Sequence, residues 1–138
     1  EKDAFIAEFA EKRGLVPFYA NSKTEIPWNV DIPIGERKQP PLENWLRGFA
    51  DAEFVLTDSF HACVFSILFH KPFGVFVNLE RGLSRIESLL SPLGLMDRCM
   101  IDAPVDLDRP IDWELIDNVL MQKAESSMEF LKQALNKK

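Results

Sequence analysis

The sequence predicts an α/β fold, a parallel sheet with helices on both of its faces. Three observations predict it. A short apolar run, Phe54 to Thr57, passes at once into polar residues suited to a helix N-terminus (Thr57, Asp58, Ser59). A helix apolar on nearly every side follows, Phe60 to Phe69, and Lys71-Pro72 breaks it before a second apolar run, Phe73 to Val77. That order is a β-α-β unit, which demands a parallel pair of strands. Finally, the chain has 138 residues and is 46% hydrophobic, enough for one domain with a real core.

The remaining elements follow in chain order. Residues 2 to 13 carry Phe5, Ile6, Phe9 and Ala10 at helical spacing, and Gly14 ends that helix. Leu15 to Tyr19 reads as a short strand. Residues 21 to 41 form a long irregular stretch with Pro27, Pro33, Pro40 and Pro41, in which Trp28 is placed to cover a ligand. Leu42 to Ala50 fits a short helix with Leu42, Trp45, Leu46 and Phe49 on one face. After the β-α-β unit, a polar loop from Leu79 leads into a helix over residues 85 to 93, and Leu95 to Ile101 passes to an edge segment or loop. Asp112 is positioned to cap a final helix, Trp113 to Leu135, whose core stripe reads Ile116, Leu120, Ala124, Ser127, Leu131 and Leu135.

Composition narrows the function. A net charge of −6 argues against a general nucleic-acid binder, which needs a basic face. No run of 18 apolar residues exists, so no transmembrane segment is expected. Cys63 and Cys99 have no metal-type spacing, and few cysteines without a secretory signal fit a reducing cytoplasm. Cys63 lies in the most apolar helix, where a thiol behaves as a small hydrophobe. The chain starts inside a helix pattern and lacks an initial Met, so residues 1 to 138 are expected to be one α/β domain, excised from a longer protein with a further N-terminal part.

Candidate site residues collect where the first strand hands over to the helix. Open α/β sheets bind ligands beyond the carboxyl ends of their strands. The helix starting near Asp58 offers unpaired N–H groups and a positive dipole end, which favour an anion. His61 lies in its first turn, where it can serve as acid or base. Asn78, Arg81 and Arg85 follow the next strand at the same edge, and guanidinium groups grip carboxylate and phosphate in bidentate fashion. Each has a plainer reading too. Asp58 and Ser59 also read as helix caps, Arg81 and Arg85 as surface residues, and His70 as a partner of the helix's negative end. No P-loop, GxGxxG, HExxH, GxSxG or CxxC motif is present, so pattern alone gives an α/β domain with an anion site and no specific reaction.

The segment Ala52-Glu-Phe-Val-Leu-Thr-Asp-Ser-Phe-His61 resembles the polysaccharide pyruvyl transferase family. So do Val64-Phe-Ser-Ile-Leu-Phe-His-Lys-Pro-Phe73, Ser84-Arg-Ile-Glu-Ser-Leu-Leu90, Leu93-Gly-Leu-Met-Asp-Arg98 and the closing Ser127-Met-Glu-Phe-Leu-Lys-Gln-Ala-Leu135, so that the likeness extends over roughly residues 42 to 135. The resemblance implies a Rossmann-like sheet, the C-terminal half of a GT-B-type two-domain glycosyltransferase fold. It implies transfer of pyruvate from phosphoenolpyruvate to sugar hydroxyls, forming a ketal, in bacterial cell-surface or exopolysaccharide biosynthesis. No cofactor is implied beyond that donor. The acceptor would be a saccharide or a lipid-linked saccharide, and the protein would work in the cytoplasm or at the inner face of the membrane. The catalytic residues so implied are His61 and Arg81; the reading of the sheet edge adds Asp58, Ser59, Asn78 and Arg85 as substrate-binding residues. Two positions depart from the family pattern. Ala62 stands where Gly is usual, and Ser59 stands where characterised members often carry Arg.

Two other functions compete with that expectation. A nucleotide-sugar glycosyltransferase would use the same architecture and bind a nucleotide. A non-catalytic α/β interaction module would bind no small anion. Fold analogy alone does not separate them.

Overall fold

The computed structural model describes residues 2–19, 41–77, 83–100 and 105–136. Trp28, Asn78 and Arg81 lie outside the described residues. In chain order the elements are α1 (Lys2–Arg13), α2 (Leu42–Asp51), β1 (Val55–Thr57), α3 (Phe60–Leu68), β2 (Phe73–Phe76), α4 (Leu83–Leu90), β3 (Cys99–Met100) and α5 (Trp113–Asn136). The strands form a parallel sheet in the order β1-β2-β3. Val55 pairs with Phe73 and Thr57 with Val75, and on the other side Val75 pairs with Cys99. The mixed α/β expectation holds, with a small sheet of three strands among the described residues.

Strand alternation assigns the two faces. Phe73 and Val75 are fully buried and pack with Cys63 and Ile67 of α3, Ile86 and Leu90 of α4, and Ile116 of α5. Their neighbours Gly74 and Phe76 point the other way. Phe76 meets Phe5 of α1 edge-on at 5.7 Å, and Phe9 of α1 lies 4.8 Å from the Phe54 ring. Gly74 suits a close approach, because a Cβ there would stand 3.1 Å from side-chain carbons of Leu107 and Leu56, which would have to give way slightly. Helices therefore do cover both faces.

The end of α1 behaves as its sequence predicts. Gly14 adopts φ +64°, its N–H bonds to the Glu11 carbonyl, and the Leu15 N–H bonds to the Ala10 carbonyl. This paired closure satisfies two carbonyls left over by the helix. At α5, Asp112 Oδ1 accepts from the Leu115 N–H at 3.0 Å, as a cap should.

Two expectations fail. Leu15 to Tyr19 is irregular, and past the half-buried Leu15 it is exposed, with Val16 at 90% and Phe18 at 74% of full exposure. Pro17 removes a donor there, and no strand among the described residues pairs with the segment. The stripe expected on the final helix is buried only at its start. Ile116 is buried and Leu120 half-buried, whereas Ala124, Ser127, Leu131 and Leu135 are exposed. A helix of 24 residues is about 36 Å long and outruns the small sheet that its first turns cover. The helix expected at 85 to 93 starts earlier, and its last turn tightens into a 3-10 turn at Ser91–Leu93.

Arg98 closes the far edge. Its guanidinium is 1% exposed and donates to the carbonyls of Leu107 (3.2 Å) and Arg109. Asp97 lies beside it, with Nε 3.5 Å from Oδ1, and Asp97 also pairs with Arg109 at 3.1 Å. Nη1 and Nη2 are thus used, as a buried charge requires, whereas Nε makes no hydrogen bond among the described residues. The side chain ties residues 105–109 across the end of β3.

Candidate functional site

The polar edge forms where β1 ends and α3 begins. Thr57 closes the strand, and its Oγ1 accepts the Ser59 N–H at 3.0 Å. Ser59 has extended geometry (φ −98°, ψ 129°) and occupies the N-cap position, yet its side chain makes no capping bond. The first intrahelical bond runs from the Cys63 N–H to the Ser59 carbonyl at 3.1 Å. The N–H groups of Phe60, His61 and Ala62 precede that bond, so they are directed outward from the helix start. The capping reading of Asp58 and Ser59 is therefore not what the structure adopts. Asp58 instead pairs with Lys2 of α1 at 3.0 Å, with both side chains more than half exposed.

His61 is exposed in the first turn of α3, at the carboxyl end of β1. Among the described residues its ring makes no hydrogen bond, and it meets the Phe60 ring edge-on at a centroid distance of 5.8 Å. Arg85, on the first turns of α4, is exposed, and its Cζ lies 5.8 Å from the centre of the same Phe60 ring. The structure thus gathers Asp58, Ser59, His61 and Arg85 at one sheet edge. It also adds two residues that the sequence reading missed, Phe60 and Lys2. Lys2 is 56 positions from Asp58 and reaches the edge only because α1 crosses the sheet, with its Nζ 5.4 Å from the centre of the Phe76 ring. No periodicity signals such a contact.

Ala62 is 7% exposed, and its methyl group is accommodated within the packing of α3. An open groove of about 1050 Å³ runs beside β1 and reaches Thr57, Asp58, Ser59 and Ala62. Trp45, Phe49 and Phe54 line its apolar part, and His61 is not among its lining residues. Among the described residues, no three His, Cys, Asp or Glu side chains converge as a metal-ligating group.

The two cysteines are free and buried. Burial first, and then the neighbouring Cys99, push the Cys63 thiol up to about 12. Burial, with Asp97 and Glu87 behind it, raises Cys99 as well. Neither is suited to nucleophilic work near neutral pH.

The exposed histidine and guanidinium thus stand at the strand-to-helix edge, where open α/β sheets that bind ligands bind them. A protein-family model described as Polysaccharide pyruvyl transferase matches residues 21–80. That stretch, under half of the chain, is similar to the family; it includes β1, α3 and β2 and runs through Thr57 to His61. The match starts earlier than the likeness seen in the sequence and stops before α4, so the segments at 84–98 and 127–135 lie beyond it. No curated protein and no solved structure matches the chain significantly. Among the described residues, no helix is long and apolar enough to cross a membrane.

Proposed function

We propose that this domain carries the donor site of a transferase that moves pyruvate from phosphoenolpyruvate to two hydroxyls of a saccharide, releasing phosphate. The observation carrying this reading is a coincidence. The stretch matched to the transferase family contains His61, and His61 stands exposed at the carboxyl end of a parallel strand. The family also favours a saccharide acceptor, free or lipid-linked.

The chemistry needs a proton donor, a proton acceptor and cations. A proton added to the methylene carbon of phosphoenolpyruvate leaves its second carbon electron-poor. One sugar hydroxyl bonds to that carbon and gives up its proton. The carbon–oxygen bond to phosphate then breaks, and a second hydroxyl bonds to the same carbon, losing its proton to close the ketal. His61 supplies or removes one of these protons. Arg85 holds carboxylate or phosphate, and outward N–H groups of α3 add to that hold. The family resemblance assigns Arg81 a place beside His61 in catalysis, and the position of Asn78 after the second strand of the β-α-β unit gives it a place in substrate binding. Asp58 keeps Lys2 at the edge, and Ser59 offers a hydroxyl. We place the reaction on the cytoplasmic side, in cell-surface polysaccharide synthesis, with an N-terminal domain forming the other wall of the cleft.

The test is an amide NMR titration of the protein with phosphoenolpyruvate, alongside uridine diphosphate and inorganic phosphate. Selective shifts at Ser59 to Ala62 and around Arg85 with phosphoenolpyruvate are expected. Larger shifts with the nucleotide would replace pyruvyl transfer with glycosyl transfer. In the full-length protein, a His61→Ala variant with wild-type turnover would remove His61 from the chemistry.

A further inference from the structure

We infer that Phe60 is a positioning residue, which holds the Arg85 guanidinium at the sheet edge where His61 stands. This rests on the donor site proposed above and goes one step further, to how its cation is fixed. Arg85 is exposed, and a long exposed side chain has considerable rotamer freedom unless something holds it. The Phe60 ring supplies the hold. Arg85 Cζ lies 5.8 Å from its centre, within the range at which an aromatic ring attracts a guanidinium. The ring is itself fixed. It is half-buried, belongs to the first residue of α3, and meets the His61 ring at 83° and 5.8 Å. One aromatic side chain thereby touches both the base and the cation. They come from different helices, α3 and α4, which pack against each other.

The geometry explains why a ring is needed here. An aliphatic side chain of similar size would fill the same space, but it has no π face to attract the cation. Arg85 would then sample orientations away from this edge, and an anion binding there would have to order it. Affinity for the donor should fall through Arg85 alone.

The test uses the full-length protein with Phe60→Leu, Phe60→Tyr, Arg85→Ala and the double variant Phe60→Leu/Arg85→Ala. Phe60→Met replaces the leucine variant if that one does not fold. Two readouts are taken, the proton NMR contacts and ring-current shifts of the Arg85 side chain, and the dissociation constant for phosphoenolpyruvate. The wild-type protein and Phe60→Tyr should show Arg85 side-chain protons shifted by the ring, and Phe60→Leu should lose that shift. Phe60→Leu should weaken phosphoenolpyruvate binding about two- to five-fold, Phe60→Tyr should not, and the double variant should bind no worse than Arg85→Ala.

A structural role alone would lower stability without this coupling to Arg85. Identical Arg85 shifts in the wild-type and leucine proteins overturn the inference. So do penalties that multiply fully in the double variant. Absence of phosphoenolpyruvate binding by the wild-type protein overturns the donor assignment instead, and the Arg85 shifts then decide by themselves whether Phe60 holds that side chain.

Discussion

The two ends of α3 each carry a histidine, and they are built differently. At the carboxyl end, His70 sits at φ +51°, the left-handed region where glycine is usual. Its N–H bonds to the Ile67 carbonyl, and the Lys71 N–H bonds to the Ser66 carbonyl at 2.8 Å. Its ring stacks on Trp113 of α5 at 5.1 Å and 17°, and Nε2 lies 3.0 Å from Asp117 Oδ1. At the amino end, the helix start has no side-chain cap, and His61 makes no hydrogen bond among the described residues. One histidine has its backbone, ring face and nitrogen committed to holding α5 against α3. The other bonds through neither ring nitrogen among the described residues. Position on the same helix does not distinguish them; what each one touches does.

The sharpest way to break this comparison is to delete each ring. His61→Ala in the full-length protein should lower transferase turnover by a factor on the order of 10² to 10⁴ while leaving the melting temperature unchanged. His70→Ala should do the reverse, with turnover kept and stability lost. Steady-state kinetics and thermal unfolding of both variants decide it. A stability loss in the His61 variant would mean that the amino end is structural as well.

Between the two ends, Cys63 tests how tightly the helix is packed. It is fully buried, and its thiol is pushed up to about 12 from 9.0, chiefly by burial. Native protein at pH 8 should therefore be modified by a thiol reagent only as fast as it opens, orders of magnitude slower than in denaturant. The sign of the linkage follows. A thiol whose folded value is raised helps stability fully below its unfolded value, near 9, and that help fades as pH rises toward 12. Alkaline unfolding should begin in that window and shift upward in a Cys63→Ala variant. Fast labelling at pH 8 would contradict the packed middle of α3.

Arg98 extends the contrast to the far edge of the sheet, where a charge is structural. Arg98→Met should cost about 3 kcal/mol in denaturant unfolding, because the Leu107 and Arg109 carbonyls lose their donor. Arg85→Ala, at the site edge, should cost less than about 1 kcal/mol, since its side chain is exposed.

These contrasts also mark what the sequence can carry. The β-α-β unit was legible because apolar runs, a polar turn and Lys71-Pro72 are local signals, and His61 was placed at the strand's carboxyl end by the same signals. The Asp112 cap and the Gly14 closure were legible for the same reason. The roles of Asp58, His70 and Phe60 were not, because each depends on a residue from another element: Lys2, Trp113 with Asp117, and Arg85. The stripe on α5 misled because helical periodicity reports which side of a helix is apolar and says nothing about whether anything packs there. Leu131 and Leu135 share the apolar side with Ile116, but the core ends near Leu120.

His70 separates strain from contact. His70→Ala keeps the left-handed backbone and loses both the Trp113 stack and the Asp117 bond, for about 1–2 kcal/mol of stability. His70→Gly loses the same contacts but relieves the backbone, which is worth about 1 kcal/mol at such a position. The glycine variant should therefore melt above the alanine variant. Equal melting would mean that the helix end relaxes once the ring is gone.

The smallest effect is expected at Asp58. Its pair with Lys2 is exposed on both sides, so Asp58→Asn should change stability by less than about 1 kcal/mol, and salt should erase even that. Lys2 is released from its carboxylate in this variant, and the edge beside His61 becomes more positive. Phosphoenolpyruvate should then bind no more weakly than to the wild-type protein, and slightly better at low ionic strength. A stability loss above about 2 kcal/mol would give the amino end of α3 the same structural role as the His70 end, and it would remove the reason for treating His61 as the histidine left open for chemistry.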